Sequence, residues 1–129
     1  MKLLIVDDEP IVGDRLKYSF EKEGFEVDTF TDGSSALRRL EEQGFDIVIT
    51  DLKMRGVDGM QILERVRVLY PDCLVVVITG FGSIDTAVEA MKKGAFDYIT
   101  KPFRLDDVKG VVRRAAERLK VTRPAVVAT

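Results

Sequence analysis

Residues 46–59 read DIVITDLKMRGVDG. Ile47, Val48 and Ile49 form an unbroken branched apolar run, which suits a parallel strand buried on both faces. The run ends in Asp51, and LKMRGVDG then leads into a stripe at Met60, Leu63 and Val66 with helical spacing. A strand, a carboxylate at its carboxyl end and a helix in that order mark one βα unit. In open α/β sheets that strand end is where ligands bind.

The same unit recurs on both sides. LLIV at 3–6 and LVVVI at 74–78 are further continuous runs, FEVDTF at 25–30 alternates as a half-exposed edge strand does, and FDYIT at 96–100 reads as a weaker fifth strand. Helical stripes lie between them: Val12, Leu16, Phe20; Gly33, Ala36, Leu37, Leu40; Ile84, Ala87, Val88, Met91; and Leu105, Val108, Val112, Ala115, Leu119. Each is expected to face the core, and Gly24, Gly44 and Gly94 fall where helix C-terminal caps are expected. Five βα repeats with short connections predict an α/β fold, a doubly wound parallel sheet with helices on both faces and right-handed crossovers.

The 129 residues fit one domain, with 46% apolar and 33% charged residues. The net charge of -2 gives no reason to expect nucleic acid contact by this domain. Histidine is absent, which removes a histidine-based triad and most zinc sites. The single cysteine, Cys73, excludes an internal disulfide, reads as a small apolar filler and fits a reducing cytoplasm. The apolar run in MKLLIVDDEP is far too short for a signal peptide or a membrane span. Residues 1–120 are read as the domain, and VTRPAVVAT at 121–129, with a helix-ending Pro124, as a linker stub or disordered tail.

The chemistry collects at the strand ends. Asp7, Asp8 and Glu9 follow the first strand, Asp51 the third, Thr79 the fourth and Lys101 the fifth. All should meet at one edge of the sheet. Two carboxylate charges 4 Å apart repel by roughly 4 kcal/mol at an effective dielectric of 20. A hard cation such as Mg²⁺ relieves this, since it takes one or two carboxylates plus a phosphate oxygen. Lys101 adds a fixed positive charge, the Thr79 hydroxyl a donor, and Gly80 leaves room beside it. Such a set suits phosphoryl transfer to a carboxylate, which needs charge stabilisation and alignment more than acid–base work. Taken singly each group has an ordinary explanation: Asp8, Glu9 or Asp51 as a helix cap, Thr79 as a turn residue, Lys101 as a solvated lysine. Their meeting at four strand ends is what disfavours four separate explanations.

The elements LLIVDDEP, DIVITDLKMRGVDG, VVVITGFG and GAFDYITKPF, in this order over residues 1 to about 120, resemble the receiver domains of two-component response regulators. TGFGSIDTAVEAMKKGAFDYITKPF is most similar to the receivers of NtrC-like transcriptional activators. The resemblance implies a flavodoxin-like sheet of order 2-1-3-4-5, Asp51 as phosphoacceptor, and Thr79 and Lys101 on the phosphoryl oxygens. It implies Mg²⁺, with Mn²⁺ able to substitute, on Asp8, Asp51 and the Lys53 carbonyl, with Asp7 acting through water. It further implies a cis peptide at Pro102 that aims Lys101 into the site, Tyr98 with Thr79 as the switch pair, and Lys53 and Phe81 tuning dephosphorylation. One departure stands out: the family's usual proline after the loop methionine is Arg55 here.

The partners so implied are a sensor histidine kinase, a second copy through helices near the fourth and fifth strands, and a fused output domain, transcriptional in the nearest group and controlled through the face of the fourth helix, fifth strand and fifth helix. A stand-alone receiver, or one within a hybrid kinase, is the neighbouring alternative. An aspartyl-phosphate phosphatase is a rival, disfavoured because Lys53 stands where such enzymes place a second acid. A flavin or nucleotide binder of the same fold is disfavoured by acids where a glycine-rich phosphate loop should follow the first strand.

Overall fold

The computed structural model describes residues 1–80 and 84–122. The chain alternates β1 (Lys2–Val6), α1 (Pro10–Lys22), β2 (Glu26–Phe30), α2 (Gly33–Glu42), β3 (Ile47–Asp51), α3 (Gly59–Leu69), β4 (Leu74–Thr79), α4 (Ile84–Lys92), β5 (Asp97–Thr100) and α5 (Leu105–Thr122). The strands form one parallel sheet in the order β2-β1-β3-β4-β5, as the resemblance implies.

Successive residues of a strand point to opposite faces, so each continuous run feeds two cores. Leu3, Ile5, Ile47, Ile49, Val76 and Ile78 pack under Leu16 and Phe20 of α1 and Val108, Val112 and Leu119 of α5. Leu4, Val6, Val48, Val75 and Val77 pack under Ala36 and Leu40 of α2, Ile62, Leu63 and Val66 of α3, and Ala90 of α4. Truncating one such residue, for example Ile49→Ala, leaves a cavity worth roughly 2–5 kcal/mol.

The helices begin and end for local reasons. Pro10 supplies the preset φ of α1's first turn. Asp32 accepts from the Ser35 backbone N–H at the start of α2, and Asp58 and Gln61 form a reciprocal capping box on α3. Gly24 and Gly94 adopt φ of 93° and 102°, the left-handed conformation expected of C-terminal caps.

Two expectations fail. Gly44 does not cap α2; that helix ends at an extended Gln43. A Cβ at Gly44 would press on the Tyr70 ring at 3.0 Å, so close aromatic packing is what requires a glycine there. Most of the α4 stripe also faces outward. Ala87 and Ala90 take the core side, while Ile84, Val88 and Met91 are 69%, 47% and 39% exposed. Helical periodicity identifies an apolar face without saying what covers it. The last helix continues to Thr122.

Candidate functional site

Four strand ends meet at the carboxyl edge of the sheet. Asp51 and Thr79 are the last residues of β3 and β4 and are buried, while Asp7 and Lys101 follow β1 and β5 directly. The parallel register aligns Val6 with Thr50, Asp51 with Ile78, and Thr79 with Thr100, which brings these ends level.

Lys101 is the hub. Its Nζ lies 2.8 Å from Glu9 Oε1, 3.0 Å from Asp7 Oδ2 and 3.2 Å from Asp51 Oδ2. Its hydrogen bond to Asp7 is aligned on Oδ1 at 3.3 Å, so the closer Oδ2 is an ion-pair contact only and remains a buried atom without a hydrogen bond. The backbone N–H of Lys101 donates to the Thr79 carbonyl at 2.8 Å, and the Lys101–Pro102 peptide is cis. Asp7 Oδ1 also accepts from the Glu9 N–H at 2.9 Å, and Asp51 Oδ1 from the Lys53 N–H at 3.1 Å.

The electrostatics are those of a crowded acidic corner. Burial pushes the Asp7 carboxyl above its ordinary value; the Glu9 N–H and Lys101 pull it back only in part, and Asp51 raises it further. Burial alone would lower Lys101. Hydrogen bonds to Glu9 and Asp7, with the charges of Asp51 and Asp7, overturn that and raise it above the usual lysine range. Oxygens of Asp7, Asp8 and Asp51 come within 4.8 Å of one another, and Asp8 is exposed. Hard carboxylate oxygens, one of them buried and short of a donor, fit a hard divalent cation such as Mg²⁺.

The buried Thr79 hydroxyl has no protein partner among the described residues. A hydroxyl so placed is a donor that still has an acceptor to find. At Gly80 the direction a Cβ would take is open. Glu9, at the N-cap of α1, leaves that helix uncapped by its side chain and pairs with Lys101 instead. Sequence reading placed Glu9 among the acids without giving it this role. Two glycines were also missed as supports. A Cβ on Gly59 would collide with the Asp51 carbonyl, and one on Gly33 with the Val57 carbonyl, so both let helix starts approach the loop behind Asp51. Lys53 is exposed beside the site, Tyr98 on β5 is 44% exposed, and Phe81 lies outside the described residues. No helix among the described residues is long and apolar enough to cross a membrane.

Residues 3–113 match the response regulator receiver domain family. The chain is 36% identical over 123 residues to the nitrogen assimilation regulatory protein NtrX of Azorhizobium caulinodans, covering 94% of this chain and 27% of that protein. It is 37% identical over 116 residues to the regulatory protein AtoC of Escherichia coli, covering 90% of this chain and 25% of AtoC. It thus spans about a quarter of the length of these curated relatives. Among solved structures, a response regulator receiver domain protein from Clostridium thermocellum superposes with a TM-score of 0.86 at 36% identity, covering 94% of this chain and 98% of that one. NtrX from Brucella abortus, in complex with ADP, superposes at 0.87 and 36% identity, covering 95% of this chain and 28% of that one. The five-stranded fold, the acidic strand ends and these likenesses agree, and the chain belongs to the response regulator receiver domain family.

Proposed function

We propose that this domain is a phosphorylation switch in which Asp51 accepts a phosphoryl group from a phosphohistidine of a sensor histidine kinase. The observation that carries this reading is Lys101 Nζ held at 3.0 and 3.2 Å from Asp7 and Asp51, beside an exposed Asp8. An Asp51 carboxylate oxygen forms the new O–P bond as the P–N bond breaks, and the imidazole leaves with the electron pair. Lys101 and the Thr79 hydroxyl meet the charge that builds on the phosphoryl oxygens. Asp8, Asp51 and the Lys53 carbonyl, with Asp7 through water, would hold Mg²⁺ (or Mn²⁺), which offsets the repulsion among the acids and the incoming phosphoryl group.

Once phosphorylated, Asp51 gives the Thr79 hydroxyl its missing acceptor. Thr79 moves toward the phosphoryl group, and Tyr98, half exposed on the neighbouring strand, turns inward into the space released. The phosphoryl bond acts as the ligand that favours one of two states. The surface that changes carries Ile84, Val88 and Met91 of α4 beside Tyr98, an uncovered apolar face suited to a second copy or an output domain. NtrX and AtoC are about four times longer, and DctD of Rhizobium meliloti, 34% identical over 119 residues, is a transcriptional regulatory protein, which supports a transcriptional output following residues 121–129 as linker. A cytoplasmic setting and a signalling rather than a multiple-turnover role go with this reading. Lys53, in place of an acid two residues after Asp51, supports it over phosphatase chemistry. Phe81, with Lys53, is proposed to slow loss of the phosphoryl group by shielding it from water.

The test is incubation with a small phosphodonor and Mg²⁺, read by intact mass. The parent chain gains one phosphoryl group; Asp51→Asn loses at least about 100-fold in rate, the scale expected when a covalent nucleophile is removed. Undiminished labelling of Asp51→Asn overturns the assignment.

A further inference from the structure

We infer that Glu9 is a displaceable stand-in for the phosphoryl group: its carboxylate holds the Lys101 donor that a phosphoryl oxygen takes over. This deepens the phosphoacceptor reading and rests on it. A lysine ammonium carries three N–H donors. In Lys101 all three are in use, on Glu9 Oε1 at 2.8 Å, Asp51 Oδ2 at 3.2 Å and Asp7 Oδ1 at 3.3 Å. An incoming oxygen therefore reaches a Lys101 proton only if one of these acceptors withdraws.

Burial decides which one. The Asp7 and Asp51 side chains are 0% and 10% exposed, whereas that of Glu9 is 59% exposed. A buried carboxylate that loses its donor is left with its desolvation cost, while an exposed one exchanges the lysine for water at little cost. Asp7 and Asp51 are also tied by the backbone N–H groups of Glu9 and Lys53, at 2.9 and 3.1 Å. Glu9 has no such tie. It stands at the N-cap of α1 without capping it, and Lys101 is its side chain's one partner among the described residues. Room for the departure is at hand, since Glu9 and Lys101 line a cleft of about 440 Å³ with Ile11, Arg15 and Phe103. The shortest of the three contacts is thus the one most easily given up. Glu9 is a positioning residue: it holds the ammonium while the site is at rest and leaves when a phosphoryl oxygen arrives. The proton stays on Lys101, and only its acceptor changes.

The experiment titrates beryllofluoride, an anion that mimics a phosphoryl group on a carboxylate, into the parent chain, Glu9→Ala and Glu9→Asp at saturating Mg²⁺. Binding is read by fluorine NMR. Removing the competitor should tighten binding about twofold to fivefold in Glu9→Ala, the scale of one exposed ion pair. A damaged fold weakens binding, so a gain of affinity is not what a merely structural role would give. Glu9→Asp keeps the charge, is one methylene shorter and suits the N-cap of α1. Tightening there too separates competition for Lys101 from plain repulsion of an anion. Tightening in Glu9→Ala alone, with Glu9→Asp equal to the parent, makes Glu9 a repelling charge and overturns the stand-in. Unchanged or weaker binding in Glu9→Ala overturns it as well. A structure of the parent with beryllofluoride bound tests the same exchange directly. Glu9 withdrawn from Lys101 is expected, and Glu9 still 2.8 Å from Nζ contradicts the inference. No binding of beryllofluoride by the parent overturns the phosphoacceptor reading and the stand-in with it.

Discussion

The two ends of the same sheet are built to opposite rules. At the amino-terminal end polar groups, exposed and half-buried alike, are paired. The Tyr70 hydroxyl donates to the Leu40 carbonyl, the Lys2 N–H to Asp46 Oδ2 at 2.7 Å, and Arg67 to the carbonyls of Pro71 and Cys73 at 2.8 and 3.3 Å. At the carboxyl-terminal end Asp7 Oδ2 and Thr79 Oγ1 are buried without a hydrogen bond, and three acids crowd one lysine. Satisfied polar networks make a fold rigid, whereas unsatisfied ones cost stability and persist where chemistry uses them. One end therefore holds the sheet together, and the other leaves polar groups unpaired where the proposed chemistry would use them.

The sharpest way to break this contrast is to remove the hub. Lys101→Ala leaves Asp7 and Asp51 facing each other without a counter-charge and should cost roughly 3 kcal/mol in chelator, as deleting one partner of a buried pair does. Mg²⁺ should restore part of that loss, because the cation replaces the missing charge. Chemical denaturation with and without Mg²⁺ measures both effects, and a Lys101→Ala protein as stable as the parent in chelator would undo the electrostatic account.

A smaller effect is expected at the other end. Tyr70→Phe removes one satisfied hydrogen bond and leaves the Leu40 carbonyl short of a donor, costing about 1–2 kcal/mol. Mg²⁺ should not recover it, and recovery would mean that the two ends are not separate.

The smallest effect has the opposite sign. Burial holds the folded-state pKa of Asp7 above its ordinary carboxylate value. The native state therefore binds a proton more readily than the unfolded state, and stability contributed by this group falls as pH rises through that window. Asp7→Asn should match the parent at pH below 3.8 and become the more stable of the two as pH rises toward neutral in chelator. Melting temperatures of both proteins across pH check it; a gap that closes as pH rises would contradict the sign.

Much of this was legible in the sequence because a strand buried on both faces leaves an unbroken apolar run. LLIV, IVI and LVVVI located the inner strands, and the residues directly after them located the site. What stayed hidden depends on distance in space. The Lys101–Glu9 pair joins residues 92 positions apart, and no local pattern announces it. Gly33 reads as part of a helical stripe and Gly44 as a cap, yet these two and Gly59 each serve a close approach by a carbonyl or a ring from elsewhere in the chain. The α4 stripe has the spacing of a core face, but small Ala87 and Ala90 seat the helix on the sheet and leave Ile84, Val88 and Met91 outward.

The most direct test of the central claim is chemical trapping of the phosphorylated domain. Borohydride reduces an aspartyl phosphate to homoserine, and peptide mass spectrometry then locates the altered residue. Homoserine at position 51, formed only when both donor and Mg²⁺ are present, is the expected result. Homoserine at Asp7 or Asp8, or label that resists borohydride, would contradict it.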